Sequence, residues 1–329
     1  MDRCGTRARF FYRDPMDLAS DLFELRLEGC ALSIGAFDGV HRGHQKLLLA
    51  MVGRARAERY PSVVLTFYPH PSVVLRGRDP SHYLTLPEDK SVLLRRLGVD
   101  HVVTQRFDLA FSQLSADQFL DRVLDVWGVR SFWVGEDFAF GHDRLGTVGF
   151  LRRQSARRGF TVEVVPPLLL DGEVVSSTRV REALRSGDVA RAASYLGRRF
   201  GLRGSVQRGA GRGRQLGIPT ANLEVEEGRV VPGSGVYACM AQTVSARFRA
   251  VTNIGTRPTF EEKPSAPVVE AHLLGFDSDL YGQGLELTFV DRLRDERKFS
   301  GPDALRTQIG HDIQRAEEIL SPETVGADG

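Results

Sequence analysis

Lysine is almost missing from this chain of 329 residues. Of 44 basic residues only positions 46, 90, 263 and 298 are lysine, and the rest are arginine. None of the four follows a glycine, so the Gly-Lys-Ser/Thr signature of a P-loop is excluded. Cysteine is equally scarce: Cys4, Cys30 and Cys239 are odd in number and form no Cys-x-x-Cys pair. A disulfide framework and a zinc knot are excluded on that count. Each cysteine reads as a small buried hydrophobe or an idle thiol. No apolar run approaches the roughly 18 residues that a membrane-spanning helix needs. The N-terminus lacks a continuous apolar stretch of the secretory kind. A reducing cytoplasm and no membrane partner are therefore expected. Net charge is only +2, too little for a bulk field that would attract nucleic acid. Arg152, Arg153, Arg157 and Arg158 are read as the solvated face of a helix, because no stacking aromatics are interleaved with them. There is no internal repeat and no low-complexity tract.

What is present is ordinary globular material. Apolar residues make up 42% and charged residues 26% of the chain, enough for a sizeable core. At roughly 100–200 residues per domain, two domains are expected. From residue 30 to about 165, short β-prone runs alternate with helical stretches. The runs are Ala31–Ile34, Ser62–Phe67, His101–Thr104, Ser131–Val134 and Phe160–Val165. Between the first two, Leu47, Leu48, Met51, Val52 and Ala55 recur on one face of a helix. This alternation predicts an α/β domain with a parallel sheet, whose ligands gather at the carboxyl ends of its strands. From about residue 200 the texture changes to Gly, Pro and short β-prone runs at Gly235–Cys239, Arg247–Thr252, Val268–Leu274 and Leu285–Val290. That pattern predicts a small antiparallel barrel or sandwich. A closing helix carries Leu305, Ile309, Ile313, Ala316 and Leu320 on one face. The domains are expected at 1–186 and 200–329, joined by a linker at 187–199, with a frayed end at Pro322–Gly329.

Two segments carry chemistry. The first is Gly35-Ala-Phe37-Asp38-Gly39-Val-His41-Arg-Gly43-His44, between the first strand and the first helix. Two histidines three apart meet at the first turn of a helix, where unbonded N–H groups and the dipole attract phosphate. Ser176-Ser177-Thr178-Arg179 opens a later helix. Alone it reads as a plain Ser/Thr N-cap with solvated arginines; beside the histidine pair it suits a triphosphate. The second segment is Gly209-Ala-Gly211-Arg-Gly213-Arg214-Gln-Leu-Gly217-Ile-Pro219-Thr220-Ala-Asn222. A glycine-rich loop presents backbone N–H groups to phosphates. Thr220 and Asn222 lie two apart, on one side of a strand, and offer oxygens suited to Mg²⁺ on a nucleotide.

The first pair of motifs resembles the HxGH nucleotidyltransferases with a Rossmann-like parallel sheet, and specifically the bacterial FAD synthetase module. Thr66-Phe-Tyr-Pro-His70-Pro71 and Val134-Gly-Glu-Asp137-Phe138-Ala-Phe140-Gly141 match it too. The resemblance implies that His41, His44, Ser177, Thr178 and Arg179 handle ATP phosphates. Asp137, Phe138 and Phe140 would lie where ATP meets FMN. Ala36, Tyr68, Ala139 and Thr147 depart from that module's commonest residues. The second motif resembles the riboflavin kinase signature, continued in Gly235-Val-Tyr237, Asn253-Ile-Gly-Thr-Arg257-Pro-Thr259-Phe260 and Leu293-Arg294-Asp-Glu296-Arg-Lys-Phe299. The resemblance makes Glu270 the general base and lets Arg294 and Glu296 shape a flavin pocket. Without it, Glu270 would read as an outward-facing strand residue.

The order of the two halves matches the bifunctional riboflavin kinase/FAD synthetase family. That match implies ATP, riboflavin, FMN and FAD as substrates and products, Mg²⁺, no nucleic-acid partner, and a transient homo-oligomer. The alternative is a riboflavin kinase whose first domain binds nucleotide without catalysis.

Overall fold

The computed structural model of the chain describes residues 24–77, 83–209, 213, 217–256 and 267–321. Cys4, Gly211, Arg214, residues 257–260 and the expected frayed end lie outside the described residues. The chain forms two compact units that part between Ser177 and Thr178.

The first unit runs β1 (Cys30–Ile34), α1 (Arg42–Glu58), β2 (Ser62–Tyr68), α2 (Pro71–Arg76), α3 (Pro87–Arg96), β3 (His101–Arg106), α4 (Leu109–Ser112), α5 (Ala116–Trp127), β4 (Val129–Gly135), β5 (Ala139–Phe140), β6 (Gly146–Thr147), α6 (Val148–Arg158), β7 (Thr161–Val165), β8 (Leu169–Leu170) and β9 (Glu173–Val174). Five strands form one sheet in the order β3-β2-β1-β4-β7, with every neighbouring pair parallel. All five residues of β1 are buried. Cys30, Leu32 and Ile34 enter one core with Phe119, Leu120, Val123 and Trp127 of α5, whereas Ala31 enters the other with Leu48, Met51 and Val52 of α1. Burial on both faces explains why the strand reads as an unbroken apolar run. Each large side chain so buried contributes about 1.5–3 kcal/mol. The α1 residues buried are the periodic set, Leu47, Leu48, Met51, Val52 and Ala55. Helix α5 starts on a capping box of Ser115 and Gln118 and stops at Gly128, with φ 55°.

Strand order reverses between β1 and β4, which creates a crevice outside their carboxyl ends. The chain leaving β1 there is Gly35–His41, and the chain leaving β4 is Glu136–Phe138. The fold therefore brings the HxGH loop and the Asp137 loop to one end of one sheet. Ala139 and Thr147, two of the departures noted above, are cross-strand partners in the β5–β6 hairpin.

The second unit runs α7 (Ser177–Ser186), α8 (Val189–Leu196), β10 (Gly201–Gln207), β11 (Ala221–Val225), β12 (Gly235–Gln242), β13 (Arg247–Thr256), β14 (Pro267–Leu273), β15 (Gly284–Arg294) and α9 (Pro302–Ile319). The six strands close into a barrel, β10-β11-β14-β13-β12-β15, all neighbours antiparallel. β12 is buried at its first seven positions. Val236, Ala238 and Met240 pack outward with Ala316 and Leu320 of the closing-helix region. Tyr237, on the alternate face, meets Phe289 edge-on at 5.4 Å.

Residues 187–199, expected as a linker, instead hold a helix. Asp188 caps α8, which buries Val189, Ala192, Tyr195 and Leu196 and packs on β15. Those four residues have helical spacing, and that spacing was the signal to read. Strand β10 escaped the sequence reading because Gly201, Arg203 and Gly204 interrupt its apolar residues. Gly204 is required there, since a Cβ would stand 2.0 Å from the Glu224 carbonyl oxygen of β11.

Candidate active sites

In the first unit the Gly35–His44 loop is built from the main chain. The Gly35 N–H donates to the Leu65 carbonyl at 3.0 Å, ending β1. Phe37 and Val40 then take left-handed backbone conformations, φ 46° and 43°, and Gly39 takes φ 80°. Two non-glycine residues held there cost about 1–3 kcal/mol each and need support from the surroundings. Asp38 supplies part of it. Its buried carboxylate accepts from the Leu84 N–H at 3.0 Å and the Thr85 N–H at 2.9 Å. The Gly39 N–H donates to the Thr85 hydroxyl at 3.0 Å. Asp38 was expected among the ATP-binding residues. Its carboxylate is committed to the chain 46 and 47 residues on, a partner that no local pattern shows.

His41 caps α1: its Nδ1 accepts from the His44 N–H at 3.3 Å. The two imidazoles stack, with centroids 3.6 Å apart and planes at 21°. Phe37 meets His44 edge-on at 5.1 Å. His44 Nδ1 is buried with no hydrogen-bond partner among the described residues. Burial, the neighbouring His41 and the cation of Lys90 hold the His44 imidazole well below its ordinary value. It is therefore neutral at physiological pH.

Lys90, in α3, is the residue that sequence reasoning missed. It is 3% exposed. Its Nζ donates to the Ala36 carbonyl at 2.8 Å and the Thr66 hydroxyl at 3.1 Å. The Thr66 hydroxyl itself donates to the Ala36 carbonyl at 3.0 Å. Burial lowers the Lys90 ammonium to about 8, partly opposed by the Asp38 carboxylate. The overlooked signal was compositional. A chain that uses arginine for nearly every cation keeps a lysine here, and lysine is a compact point charge whose pKa shifts readily on burial, whereas arginine stays charged.

The remaining predicted residues are placed as follows. Ser177 donates its hydroxyl to the Asp38 carbonyl at 2.8 Å, tying the last residue of the first unit to the loop. Ser176 is half-buried beside it in sequence, and Gly43 lies against the His41 ring and the Val175 carbonyl. Thr178 and Arg179 form the first turn of α7. Asp137 is exposed, and its carbonyl accepts from Arg144 at 3.4 Å. Phe138 stacks on Phe140 at 5.6 Å. Phe140 is a core residue, packed on Phe119 at 5.3 Å and Phe150 at 5.9 Å. Any contact to a ligand falls to Phe138, with Phe140 behind it. His70 caps α2 through its Nδ1.

In the second unit, register assembles a row that sequence separation conceals. Asn222 of β11 faces Glu270 of β14, and Glu270 faces Asn253 of β13. Asn253 faces Val236 of β12, which faces Arg294 of β15. Alternate residues Ala221, Leu223, Val269 and Ala271 are buried on the opposite face. Glu270 thus stands on the outer face between two amides. His272, two residues along the same face, bonds through Nδ1 to the Pro219 carbonyl at 2.8 Å, anchoring the Pro219–Asn222 segment to β14. Asn222 Oδ1 is buried with no hydrogen-bond partner among the described residues. Gly209 passes so close that a Cβ would lie 2.1 Å from Asn222 Nδ2. Gly213 accepts from the Ile218 N–H at 2.9 Å, closing the loop below Thr220. Gly217 lies near the Arg306 guanidinium of α9.

Arg294 and Glu296 lie at the far end of the row. The Arg294 guanidinium forks onto Asp312 of α9, at 3.0 Å from Nε to Oδ1 and 2.8 Å from the terminal nitrogen to Oδ2. Asp312 is 4% exposed. The guanidinium also lies over the Phe299 ring, 5.6 Å from its centroid. Glu296 is exposed and rests against Gly255 of β13. Arg294 therefore fixes α9 to the barrel. Asp312→Ala leaves its guanidinium uncompensated, and the barrel is expected to lose about 3–5 kcal/mol of stability in urea titration. A loss under 1 kcal/mol would show that solvent already screens the pair.

Two family models match the chain: one described as FAD synthetase over residues 24–179, the other as riboflavin kinase over residues 196–320. A bifunctional riboflavin kinase/FMN adenylyltransferase of Pseudomonas fluorescens is 40% identical over 310 residues, covering 93% of this chain and 99% of that protein. Its namesake from Bacillus subtilis is 36% identical over 293 residues, covering 88% and 92%. A solved structure described as a macrolide-efflux protein from Streptococcus pneumoniae matches with a TM-score of 0.83 and 29% identity, over 91% of this chain and 97% of that one. Among the described residues, no helix is long and apolar enough to cross a membrane. Both halves are matched in order, and relatives well above 30% identity cover nearly the whole length; the chain belongs to the bifunctional riboflavin kinase/FMN adenylyltransferase family.

Proposed function

We propose that the barrel unit phosphorylates riboflavin with ATP at the Asn222–Glu270 row, and that the α/β unit adenylylates FMN at the Gly35–His44 loop. One observation carries this division: in the α/β unit the carboxylate of the loop, Asp38, is committed to the Leu84 and Thr85 main-chain donors, whereas in the barrel Glu270 stands in the row between Asn222 and Asn253. That difference follows the chemistry. The ribityl 5′-hydroxyl is a weak acid and needs a base as the phosphoryl group arrives. The FMN phosphate is already an anion, and adenylyl transfer needs alignment and charge neutralisation instead.

In the kinase reading, Glu270 takes the hydroxyl proton as the oxygen attacks the γ-phosphorus of ATP, whose bond to the β–γ bridging oxygen breaks as ADP departs. The main chain at Gly209, Gly213 and Gly217 offers the phosphates a close approach, and His272 holds Pro219 and the residues after it in place. Asn222 Oδ1, sealed without a protein donor, suits a hard cation that takes only oxygen ligands, and the Thr220 hydroxyl is two residues away. These two would hold Mg²⁺. When bound, the ion neutralises charge on the ATP phosphates. In the transferase reading, His41, His44 and the N–H groups at the α1 N-terminus orient the ATP phosphates while an FMN phosphate oxygen attacks the α-phosphorus and pyrophosphate departs. Ser176 and Ser177 assist from the end of the α/β unit. Phe138 offers a ring face to the flavin.

The test is a chromatographic time course with purified protein, riboflavin, ATP and Mg²⁺. FMN is expected to rise and then give way to FAD. FMN accumulating alone would sink the transferase assignment and leave the α/β unit a binding module. No conversion would sink both.

A further inference from the structure

We propose that Lys90 is a positioning residue for adenylyl transfer: its ammonium, buried beneath the Gly35–His44 loop and bonded to the Ala36 carbonyl and the Thr66 hydroxyl, holds the loop in the shape that presents His41 and His44 to phosphate. The inference rests on reading the α/β unit as the FMN adenylyltransferase.

The geometry is a clasp with links in both directions. From the loop, Asp38 grips the Leu84 and Thr85 N–H groups just ahead of α3. The Gly39 N–H reaches the Thr85 hydroxyl. From α3, Lys90 grips the Ala36 carbonyl at 2.8 Å, one residue before the left-handed Phe37. The third arm is Thr66, at the carboxyl end of β2, which both accepts from Lys90 and donates to Ala36. The strained stretch from Phe37 to Val40 is thus held on both sides before the chain enters α1 at His41. Ala36 contributes its carbonyl to this clasp, so a departure in side chain at position 36 leaves it intact.

A neutral amide could make such bonds without the cost of burying a charge. The charge has a use where it is felt. It acts on His44, whose proton affinity it lowers, so its field reaches the place where ATP phosphates would lie. The charged or titratable groups that face the ammonium are Asp38 and His44, with His41 stacked behind His44 and Tyr83 beside Asp38. Asp38 is bound by main-chain donors and acts on the ammonium through its charge. The clasp therefore leaves its positive field directed at the imidazole pair.

The experiment compares wild type, Lys90→Met and Lys90→Arg in full-length protein. FAD formation from FMN and ATP, FMN formation from riboflavin, and thermal unfolding are measured on each. Lys90→Met is expected to lower kcat for FAD formation by about 10²-fold, the typical loss of one preorganised electrostatic contact. Its FMN formation should be unchanged. Its unfolding temperature should hold or rise, because a buried charge is gone. Lys90→Arg should recover much of the rate. Raising the pH through about 8 removes the Lys90 proton, so wild-type FAD formation should decline above that pH. In Lys90→Arg the decline should be absent, since arginine stays charged. A Lys90→Met variant with wild-type kcat and KM, beside a wild type that makes FAD, would overturn the proposal alone. Two variants equally impaired and both unfolding at lower temperature would make Lys90 a packing residue and overturn it too. A wild type that makes no FAD would overturn the transferase reading, and this proposal with it.

Discussion

Glu270→Gln should form FMN from riboflavin about 10²–10⁴-fold more slowly than the wild type, the usual contribution of a positioned general base. FAD formation from supplied FMN should be untouched. Glutamine keeps the size of the side chain and its reach toward Asn222 and Asn253, its register partners on either side. It removes only the capacity to accept a proton. The barrel interior does not contain Glu270, whose neighbours Val269 and Ala271 do the packing, so unfolding should shift little. The loss should fall on kcat, with KM for riboflavin and ATP near wild type, because the proton is transferred only in the transition state. Equal FMN formation by Glu270→Gln and wild type would remove Glu270 from the chemistry. The outer-face row would then be a strand surface and nothing more.

His44→Ala gives the complementary result. FAD formation should fall by about 10²–10³-fold while FMN formation continues. A riboflavin-fed reaction should then stop at FMN. His44 stacks on His41 and meets Phe37 edge-on, so the truncation also removes one wall of the pair. His44→Asn separates the two effects, since an amide keeps a donor in a smaller volume. Recovery with asparagine would assign the loss to hydrogen bonding with phosphate, and no recovery would assign it to the stack. The wild-type rate should show no limb from His44 at the ordinary imidazole value, because burial and the neighbouring His41 and Lys90 hold this ring well below that range. A rising or falling limb centred near 6.5 would contradict the burial of this ring.

The elements most legible in the sequence were those buried on two faces. The runs at Ala31–Ile34 and Ser62–Phe67 reappear as β1 and β2 because helices cover the sheet on both sides. The closing helix was equally plain, since Ala316 and Leu320 pack on β12 as their spacing implied. What stayed hidden depended on distance along the chain. Asn222 and Glu270 are strand neighbours 48 positions apart, and nothing near either names the other. Asp38 resembled a ligand-facing acid because its partners, Leu84 and Thr85, lie in a different segment. Phe140 resembled a flavin contact because an aromatic in a motif cannot be told from an aromatic in a core until Phe119 and Phe150 are seen against it. Lys90 lay outside every motif, and only its burial drew it into the site.

Barrel closure bears on how the chain is made. β10 is zipped to β11 on one side and to β15 on the other, so its first strand waits for its last. On a ribosome, the segment ending at Arg294 must emerge before residues 201–207 gain their second partner. The parallel sheet has no such delay, because its last strand ends at Val165. The α/β unit can therefore order itself about 130 residues of synthesis earlier, consistent with amino-terminal domains generally folding first. The barrel, whose closing contact spans nearly its whole length, should complete in a single late step. A nascent chain arrested shortly after Val165 emerges should already protect the first sheet from proteolysis. One arrested before β15 emerges should leave the flavokinase half open to cleavage from its first strand onward.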